Sequence, residues 1–360
     1  MELDVHNGHK GVIPLNHHPD FSEQGYQVIS ELGCNREGGR ITYLANVLNS
    51  NQQVVIKEFC FARASADLSG VKAYQREIEI LQQLNHSRIP RYIDSFEMPG
   101  VFYLVQEYKN APSLGLKRSF HPEEIKQIAL SILEILVYLQ KQVSPIIHRD
   151  IKPENILVDE QLNAYLVDFG LARTQGAKIA LSSFIAGTPG FIPPEEQFGH
   201  SLTKASDLYS LGATLICLLT NICSVEIGKL IDDNYRFNFQ QLVPHISPRF
   251  ESWLMKMVER NRKRRYANAA VALKVLKSIE VVGNATRIET LVSTIKSRKR
   301  ATVLGLATVV TLAAVGAILM SCQPGDPVRQ LLKARERQRF DPEFKCRVKG
   351  DLTFHVLWKS

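Results

Sequence analysis

The most informative segment of the chain is Ile147-His148-Arg149-Asp150-Ile151-Lys152-Pro153-Glu154-Asn155, followed shortly by Asp168-Phe169-Gly170. Between the two, apolar runs at 156–158 and 165–167 bracket a polar turn, which predicts a hairpin of short strands. Such a hairpin would return Asp168 to the neighbourhood of Asp150 and Asn155. Phosphoryl transfer uses such a set of groups. One carboxylate orients the attacking hydroxyl, while a second carboxylate and an amide oxygen hold Mg²⁺ on the phosphates.

A polar loop between buried strands is the alternative, and for His-Arg-Asp alone it is the better interpretation. Lys152, Asn155 and Asp168 at fitting offsets reverse that preference. The stretch resembles the catalytic and magnesium loops of the protein-kinase family, and the resemblance covers residues 26–280. Lys152, two residues after Asp150, resembles the serine/threonine branch rather than the tyrosine branch. The resemblance implies an α+β, two-lobed protein-kinase fold with a small β-rich N-lobe and a large helical C-lobe.

The resemblance also implies a role for each polar residue in moving the γ-phosphoryl group of ATP to protein Ser/Thr hydroxyls. Asp150 would orient the substrate hydroxyl and accept its proton, and Lys152 would neutralise the charge that develops on the phosphoryl group. Asn155 and Asp168 would bind Mg²⁺.

A second charged pair is expected across the same cleft. Lys57 ends the apolar run Val54-Val55-Ile56, so its ammonium group would reach the cleft edge and pair with the α- and β-phosphates. Glu77 lies in residues 70–84, whose apolar residues recur at helical spacing. It resembles the family's helix glutamate, which pairs with that lysine. Two solvated side chains are the alternative, but both residues occur in the family's order and spacing.

Two further parts of an ATP site are expected from the resemblance. Gly33, Gly38 and Gly39 lie between predicted strands, where glycine would let backbone N–H groups approach a triphosphate. The pattern departs from the family's G-x-G-x-x-G, because its middle position is not glycine and the Gly38-Gly39 pair suggests a one-residue insertion. An ordinary hairpin turn is therefore the alternative. Glu107 and Tyr108 would form the hinge whose backbone binds adenine.

Composition and charge exclude some functions. The chain is 45% hydrophobic and 22% charged, as is typical of a globular protein. Its net charge of +8 is uneven, since residues 260–300 alone carry +10. A protein that coats nucleic acid would spread its positive charge, so we expect no nucleic-acid partner. The six cysteines show no metal-ligand spacing, and the four within the kinase-like region are expected to be free thiols in a reducing compartment.

Residues 301–322 form an uncharged, apolar run. As a helix it would be about 30 Å long, which matches the hydrocarbon core of a bilayer; a buried soluble helix is the alternative. Basic residues abut the run at 296–300, whereas 321–328 contain none, which favours a cytoplasmic N-terminal side. We therefore expect a single-pass protein of the cell (plasma) membrane with a cytoplasmic kinase domain, able to form homodimers for trans-autophosphorylation.

The expected organisation has five parts. They are an irregular N-terminal tail (1–25), the protein kinase domain (26–280), a basic juxtamembrane linker (281–300), a single transmembrane helix (301–322) and a short C-terminal tail (323–360).

Two structural contacts are also implied by the resemblance. Asp207, at the start of an apolar helix, would hold the backbone of the catalytic loop. Glu195, in the motif that closes the activation segment, would form an ion pair with Arg265.

Regulation and two rival functions stay open at this point. The activation segment, residues 173–188, offers Thr174, Ser182 and Ser183 for phosphorylation, and Arg149 could bind the added phosphate. An unmodified loop is the alternative. The irregular glycine-rich loop would suit a pseudokinase that binds partners without transferring phosphate. A kinase of small molecules would use a similar set of acidic residues.

Overall fold

In the computed structural model, the protein is described at residues 18–35, 40–50, 52–60, 69–116, 118–175, 188–243 and 246–282. All of these residues belong to the first of two compact units, Met1–Gly283 and Asn284–Ser360. They form a β-rich lobe followed by a helical lobe, which confirms the predicted two-lobed fold.

The smaller lobe is built on a five-stranded antiparallel sheet with the strand order β1-β2-β3-β5-β4. Its strands are β1 Tyr26–Asn35, β2 Arg40–Val47, β3 Gln53–Cys60, β4 Tyr92–Met98 and β5 Val101–Glu107. The register of β2 and β3 sets Arg40 opposite Phe59 and Thr42 opposite Lys57. Because side chains alternate along a strand, the next pair, Tyr43 and Ile56, points to the other face and joins an apolar core there.

Residues that the sequence assigned to an irregular tail cover the outer face of this sheet. Phe21 is 1% exposed, and its ring lies edge-on to Tyr103 and Phe96 at centroid distances of 4.9 and 5.4 Å. A short 3-10 helix, Ser22–Gln24, connects it to β1. The lobe therefore begins before residue 26, because Phe21 completes the apolar core on that face.

Helix α1, Ser69–Gln83, follows β3 and precedes β4 in the chain. Tyr74 anchors it: the ring lies 5.2 Å from that of Phe59, and the hydroxyl donates to the backbone oxygen of Tyr103 at 3.2 Å. Residues three positions apart share a helix face, so this contact turns Glu77 towards the cleft.

The larger lobe consists mainly of helices. Its helices are α2 Pro122–Gln140, α3 Pro194–Gln197, α4 Ser206–Thr220, α5 Pro248–Met257 and α6 Ala269–Lys277. Short strands pair as β6 Ile146–Ile147 with β9 Arg173–Thr174, and as β7 Ile156–Val158 with β8 Ala164–Leu166. Helix α2 starts at a proline, and the Glu124 carboxylate accepts the backbone N–H of His121 at 2.7 Å. The antiparallel pairing of β7 with β8 confirms the hairpin that was predicted from the apolar runs at 156–158 and 165–167.

Among the described residues, no single helix is both long and apolar enough to cross a membrane. Within the part of the chain that the structure describes, only α4 together with the 3-10 helix Ser224–Leu230 has the length and composition of a span, but the pair is bent by 98° and α4 is buried inside the helical lobe. The predicted span at 301–322 and the tail at 323–360 lie outside the described residues.

Candidate active site

Strand β3 and helix α1 of the smaller lobe bring Lys57 and Glu77 into contact, as expected. Nζ of Lys57 donates to Oε1 of Glu77 at 2.7 Å and to Oδ1 of Asp168 at 3.1 Å. Glu77 is fully buried, which excludes the alternative of two solvated side chains. Burial alone would lower the pKa of Lys57, but the carboxylates of Asp168 and Glu77 raise it above its ordinary value. Lys57 is therefore a fixed cation where the two lobes meet.

Asp168 reaches this position through its backbone conformation. Its φ of 65° is left-handed, and Val167 just before it donates its N–H to the backbone oxygen of Asn155 at 3.0 Å. Burial alone would raise the pKa of Asp168, yet the positive charges of Lys57 and Arg40 hold that pKa well below its ordinary value. The carboxylate is thus ionised at neutral pH.

Asp150, Lys152 and Asn155 form one hydrogen-bonded group. Nδ2 of Asn155 donates to Oδ2 of Asp150 at 2.7 Å and to its backbone oxygen at 2.8 Å. Nζ of Lys152 lies 3.0 Å from the same Oδ2 and donates to Oγ1 of Thr188 at 3.2 Å. A hydroxyl that reaches Asp150 would therefore meet a carboxylate oriented by an amide and an ammonium group.

Asp207 holds the backbone of this group in place. Its two carboxylate oxygens accept the backbone N–H groups of His148 at 2.8 Å and Arg149 at 2.9 Å, which confirms the predicted contact. Arg149 has a left-handed φ of 72°, which a residue with a side chain keeps only where its surroundings impose it. Burial raises the pKa of Asp207 to about 6, even though two N–H groups stabilise its charge.

Arg149 itself is buried and paired with a carboxylate. Its Nε donates to Oε1 of Glu196 at 2.8 Å, and its Nη2 forms an ion pair with the same oxygen. Thr174 lies in β9, whereas Ser182 and Ser183 lie outside the described residues. A glutamate therefore already neutralises the arginine that the phosphorylation hypothesis assigned to a phosphate.

The expected pair of Glu195 and Arg265 is present. Nη1 of Arg265 donates to Oε1 of Glu195 at 2.8 Å, and Nη2 donates to Oε2 at 2.7 Å. Both side chains are almost completely buried. This bidentate contact ties the residues around α3 to the end of the helical lobe.

The structure describes the predicted glycine-rich loop only in part. Gly33 lies within β1, opposite Thr42, and a Cβ built on it would contact nothing within 4 Å. Gly38 and Gly39 lie outside the described residues. The open space beside Gly33 is compatible with close approach of a ligand to the backbone.

The predicted hinge follows β5. The backbone N–H of Glu107 donates to the carbonyl of Arg91 at 2.9 Å, and the Glu107 carboxylate pairs with Lys109 at 2.7 Å. An adenine would therefore not use the N–H of Glu107. Tyr108, the next residue, begins the link to the helical lobe.

Comparison with protein-family models matches residues 26–279 to the protein kinase domain. The chain belongs to the protein kinase family. Relatives from bacteria confirm the resemblance to the eukaryotic-like (Hanks-type) serine/threonine kinases of bacteria.

The bacterial relatives extend well beyond this kinase. Serine/threonine-protein kinase D of Synechocystis is 32% identical over 266 residues, which are 71% of this chain and 52% of that protein. Serine/threonine-protein kinase PknA of Nostoc is 29% identical over 272 residues, or 70% of this chain and 46% of that protein. Serine/threonine-protein kinase PrkC of Bacillus subtilis is 31% identical over 202 residues, or 54% and 30%. The chain thus spans about half or less of the length of these relatives.

Mg²⁺ is the metal that the kinase family implies, and the residues present fit it. The amide nitrogen of Asn155 is engaged by Asp150, so its Oδ1 stays available as an acceptor. Asp168 meets Lys57 through Oδ1, and no described residue donates to its Oδ2. Both remaining groups are hard oxygen ligands, which Mg²⁺ prefers together with phosphate oxygens and water. Among the described residues, no cluster of three His, Cys, Asp or Glu side chains is arranged to bind a metal without further ligands.

Three residues of the kinase site were not predicted from the sequence. Thr188 ends the predicted activation segment, and nothing in the sequence indicates that its hydroxyl accepts a hydrogen bond from Lys152. Glu196 follows Glu195, and nothing in the sequence tells which of two adjacent glutamates pairs with Arg149. Arg40 comes directly after the glycines, and only the strand register places its side chain over the cleft.

Proposed function

We propose that this protein is a serine/threonine protein kinase that transfers the γ-phosphoryl group of ATP to hydroxyl groups of protein substrates. The contact that carries the proposal is that of Lys57, 2.7 Å from Glu77 and 3.1 Å from Asp168 at the same time. This contact joins strand β3, helix α1 and the segment that follows the hairpin of β7 and β8. Kinase catalysis requires that the strand lysine, the helix glutamate and the metal-binding aspartate be in place together.

Each residue then has a definite task. Asp150 orients the incoming hydroxyl and accepts its proton. Lys152, 3.0 Å from Asp150, supplies positive charge where negative charge develops on the transferred group. Lys57 positions the α- and β-phosphates. Mg²⁺, held by Asn155 and Asp168, would neutralise the β- and γ-phosphate oxygens.

A protein hydroxyl is the acceptor that the observations favour. Lys152 connects Asp150 to Thr188, at the end of the segment that would lie beside a bound peptide. The bidentate pair of Glu195 and Arg265 fixes the residues that follow. The three bacterial relatives named above all carry the name serine/threonine-protein kinase. The lysine, glutamate, aspartate and asparagine side chains that phosphoryl transfer requires are all present, and hydrogen bonds hold them in position. This arrangement disfavours a pseudokinase.

The test is transfer of label from ATP in the presence of Mg²⁺, with the full chain and a generic protein substrate. Asp150→Asn should abolish transfer while leaving nucleotide affinity within about threefold, since Asp150 acts on the acceptor rather than on the nucleotide. Asp233→Asn, the same change at an exposed position, is the matched control and should transfer label as the wild type does. Transfer by Asp150→Asn at the wild-type rate, or a folded wild type without transfer, would refute the proposal. Phosphoamino-acid analysis of the product should find phosphoserine or phosphothreonine.

We also propose that residues 301–322 anchor the kinase in the cell membrane with its catalytic domain in the cytoplasm. Support comes from the length of the uncharged run and from the basic residues at 296–300. Anchoring would concentrate copies of the chain and favour trans-autophosphorylation within a homodimer. When active chains are mixed in vesicles with tagged Asp150→Asn chains, label from ATP should appear on the tagged, inactive copy. Label found only on the active copy would contradict the homodimer. Extraction into the soluble fraction by high salt alone would contradict the anchor.

A further inference from the structure

Arg40 lies on the cleft face of the sheet. It is the first residue of β2, where it stands opposite Phe59, while Thr42 stands opposite Lys57. Side chains two residues apart on a strand share a face, and directly opposite residues share it too. Arg40 therefore lies on the same face as Lys57, one diagonal step along the sheet.

Arg40 lies on the side of Lys57 that faces away from the hinge. Strand β3 runs from Val54, opposite Glu107, to Cys60, opposite Val101. Phe59 and its partner Arg40 are consequently farther from the hinge than Lys57 is. A nucleotide whose adenine lies at the hinge would extend its phosphates past Lys57 in the direction of Arg40.

The guanidinium of Arg40 is held close to the catalytic residues. Its Cζ lies 5.2 Å from the centre of the Phe59 ring. Gly170 follows Asp168 by two residues. A Cβ built on this glycine would lie 3.2 Å from Nη1 of Arg40 and 3.1 Å from Oε2 of Glu77, so both groups are next to it. The absence of a side chain at Gly170 leaves room for a cation there.

No described residue accepts a hydrogen bond from the Arg40 guanidinium, although the side chain is partly buried. The nearby Oε2 of Glu77 is buried and has no hydrogen-bond partner among the described residues. One carboxylate oxygen cannot satisfy the five N–H donors of an arginine, so donors would remain even if that bond formed. The planar fork of donors is suited to a phosphate, which can accept two of them at once.

We propose that Arg40 is a second phosphate-binding cation, which contacts the terminal phosphate of the nucleotide beyond the groups bound by Lys57. Its side chain would supply donors in a region where this chain departs from the usual spacing of loop glycines. The inference rests on the proposed function, because it assumes that the cleft binds ATP with its adenine at the hinge.

The test is a nucleotide series measured by calorimetry on the full chain with Mg²⁺. Adenosine, ADP and a non-hydrolysable ATP analogue are titrated into the wild type, Arg40→Met and Arg40→Lys. For Arg40→Met we expect the ATP analogue to bind about tenfold or more weakly, because a charge-assisted hydrogen bond is lost. ADP should change by less than about threefold and adenosine not at all. Arg40→Lys should recover part of the loss, since it keeps the charge without the fork.

Arg249→Met is the matched control, because Arg249 is exposed on α5, and it should bind all three ligands as the wild type does. Thermal unfolding of each variant verifies that it is folded. If Arg40→Met does not fold, the same comparison of the three ligands is made with Arg40→Lys. Unchanged binding of the ATP analogue by Arg40→Met would overturn the inference and leave Arg40 as a packing partner of Phe59. Equal weakening of ADP and the ATP analogue would also overturn it, because the arginine would then act through Glu77 and Lys57. A wild type that binds no nucleotide would instead refute the proposed function.

Discussion

Replacing Arg265 by leucine should destabilise the helical lobe severely. Arg265 gives Glu195 two hydrogen bonds, at 2.8 and 2.7 Å, and without it the carboxylate would keep one donor in the structure, the hydroxyl of Ser206 at 2.8 Å. Removing one partner of a buried ion pair costs about 3–5 kcal/mol, because the other charge stays buried without compensation. Arg265 also donates to three backbone oxygens, which favours the upper half of that range. The loss is large beside the roughly 5–15 kcal/mol that stabilise a typical domain.

Urea unfolding of the full chain, followed by the fluorescence of the buried Trp253, measures this free energy. The double variant Glu195→Leu/Arg265→Leu should be more stable than Arg265→Leu alone, because it buries no unpaired charge. Arg249→Leu, an exposed arginine on α5, should change the free energy of unfolding by less than about 0.5 kcal/mol. A cost below about 1 kcal/mol for Arg265→Leu would refute this reasoning, as would a double variant whose loss equals the sum of the two single losses.

Two further predictions concern the catalytic stretch. Thr188→Ala removes the hydroxyl that accepts the hydrogen bond of Lys152, so kcat should fall about tenfold while the KM for ATP stays within about twofold. Thr188→Ser keeps the hydroxyl and should behave as the wild type. A rise in the KM for ATP of Thr188→Ala in steady-state kinetics, with kcat unchanged, would contradict this prediction. Burial lowers the pKa of His148 from 6.5 to about 4, so its contribution to stability is present above pH 6.5 and is lost as the pH falls towards 4. Between pH 7 and pH 5 this loss is about 2 kcal/mol, whereas Asp207, whose pKa burial raises to about 6, works in the opposite direction. His148→Phe should therefore lose about 2 kcal/mol less than the wild type on acidification from pH 7 to pH 5, and equal losses in urea unfolding would contradict the assignment.

Much of the fold could be predicted because its signals are local. The hairpin before Asp168 was expected from two apolar runs around a polar turn. The contact of Lys57 with Glu77 was expected because a strand-end lysine and a helix glutamate follow the kinase family's order. In each case a short segment carries the signal, and the family resemblance supplies the distance between segments.

The N-terminal boundary of the β-rich lobe could not be predicted in this way. Residues 18–25 have no period, and Phe21 counts as core only because the sheet provides rings for it to meet. A single aromatic residue in an irregular segment gives no indication of whether it is buried. Its burial depends on a surface formed by residues far along the chain.

The order of residues is enough to identify the chemical groups of the kinase site. Neighbours in the chain mark the carboxylates of Asp150 and Asp168, the amide of Asn155 and the ammonium of Lys57. The surroundings of Arg149 and Arg40, by contrast, became known only from the folded chain, because neither a local pattern nor the family resemblance indicates them. Glu196 forms an ion pair with Arg149, and the guanidinium of Arg40 lies beside Gly170. The physical reason is that electrostatic pairing depends on distance and burial, which strand register and helix packing set and which the order of residues does not record.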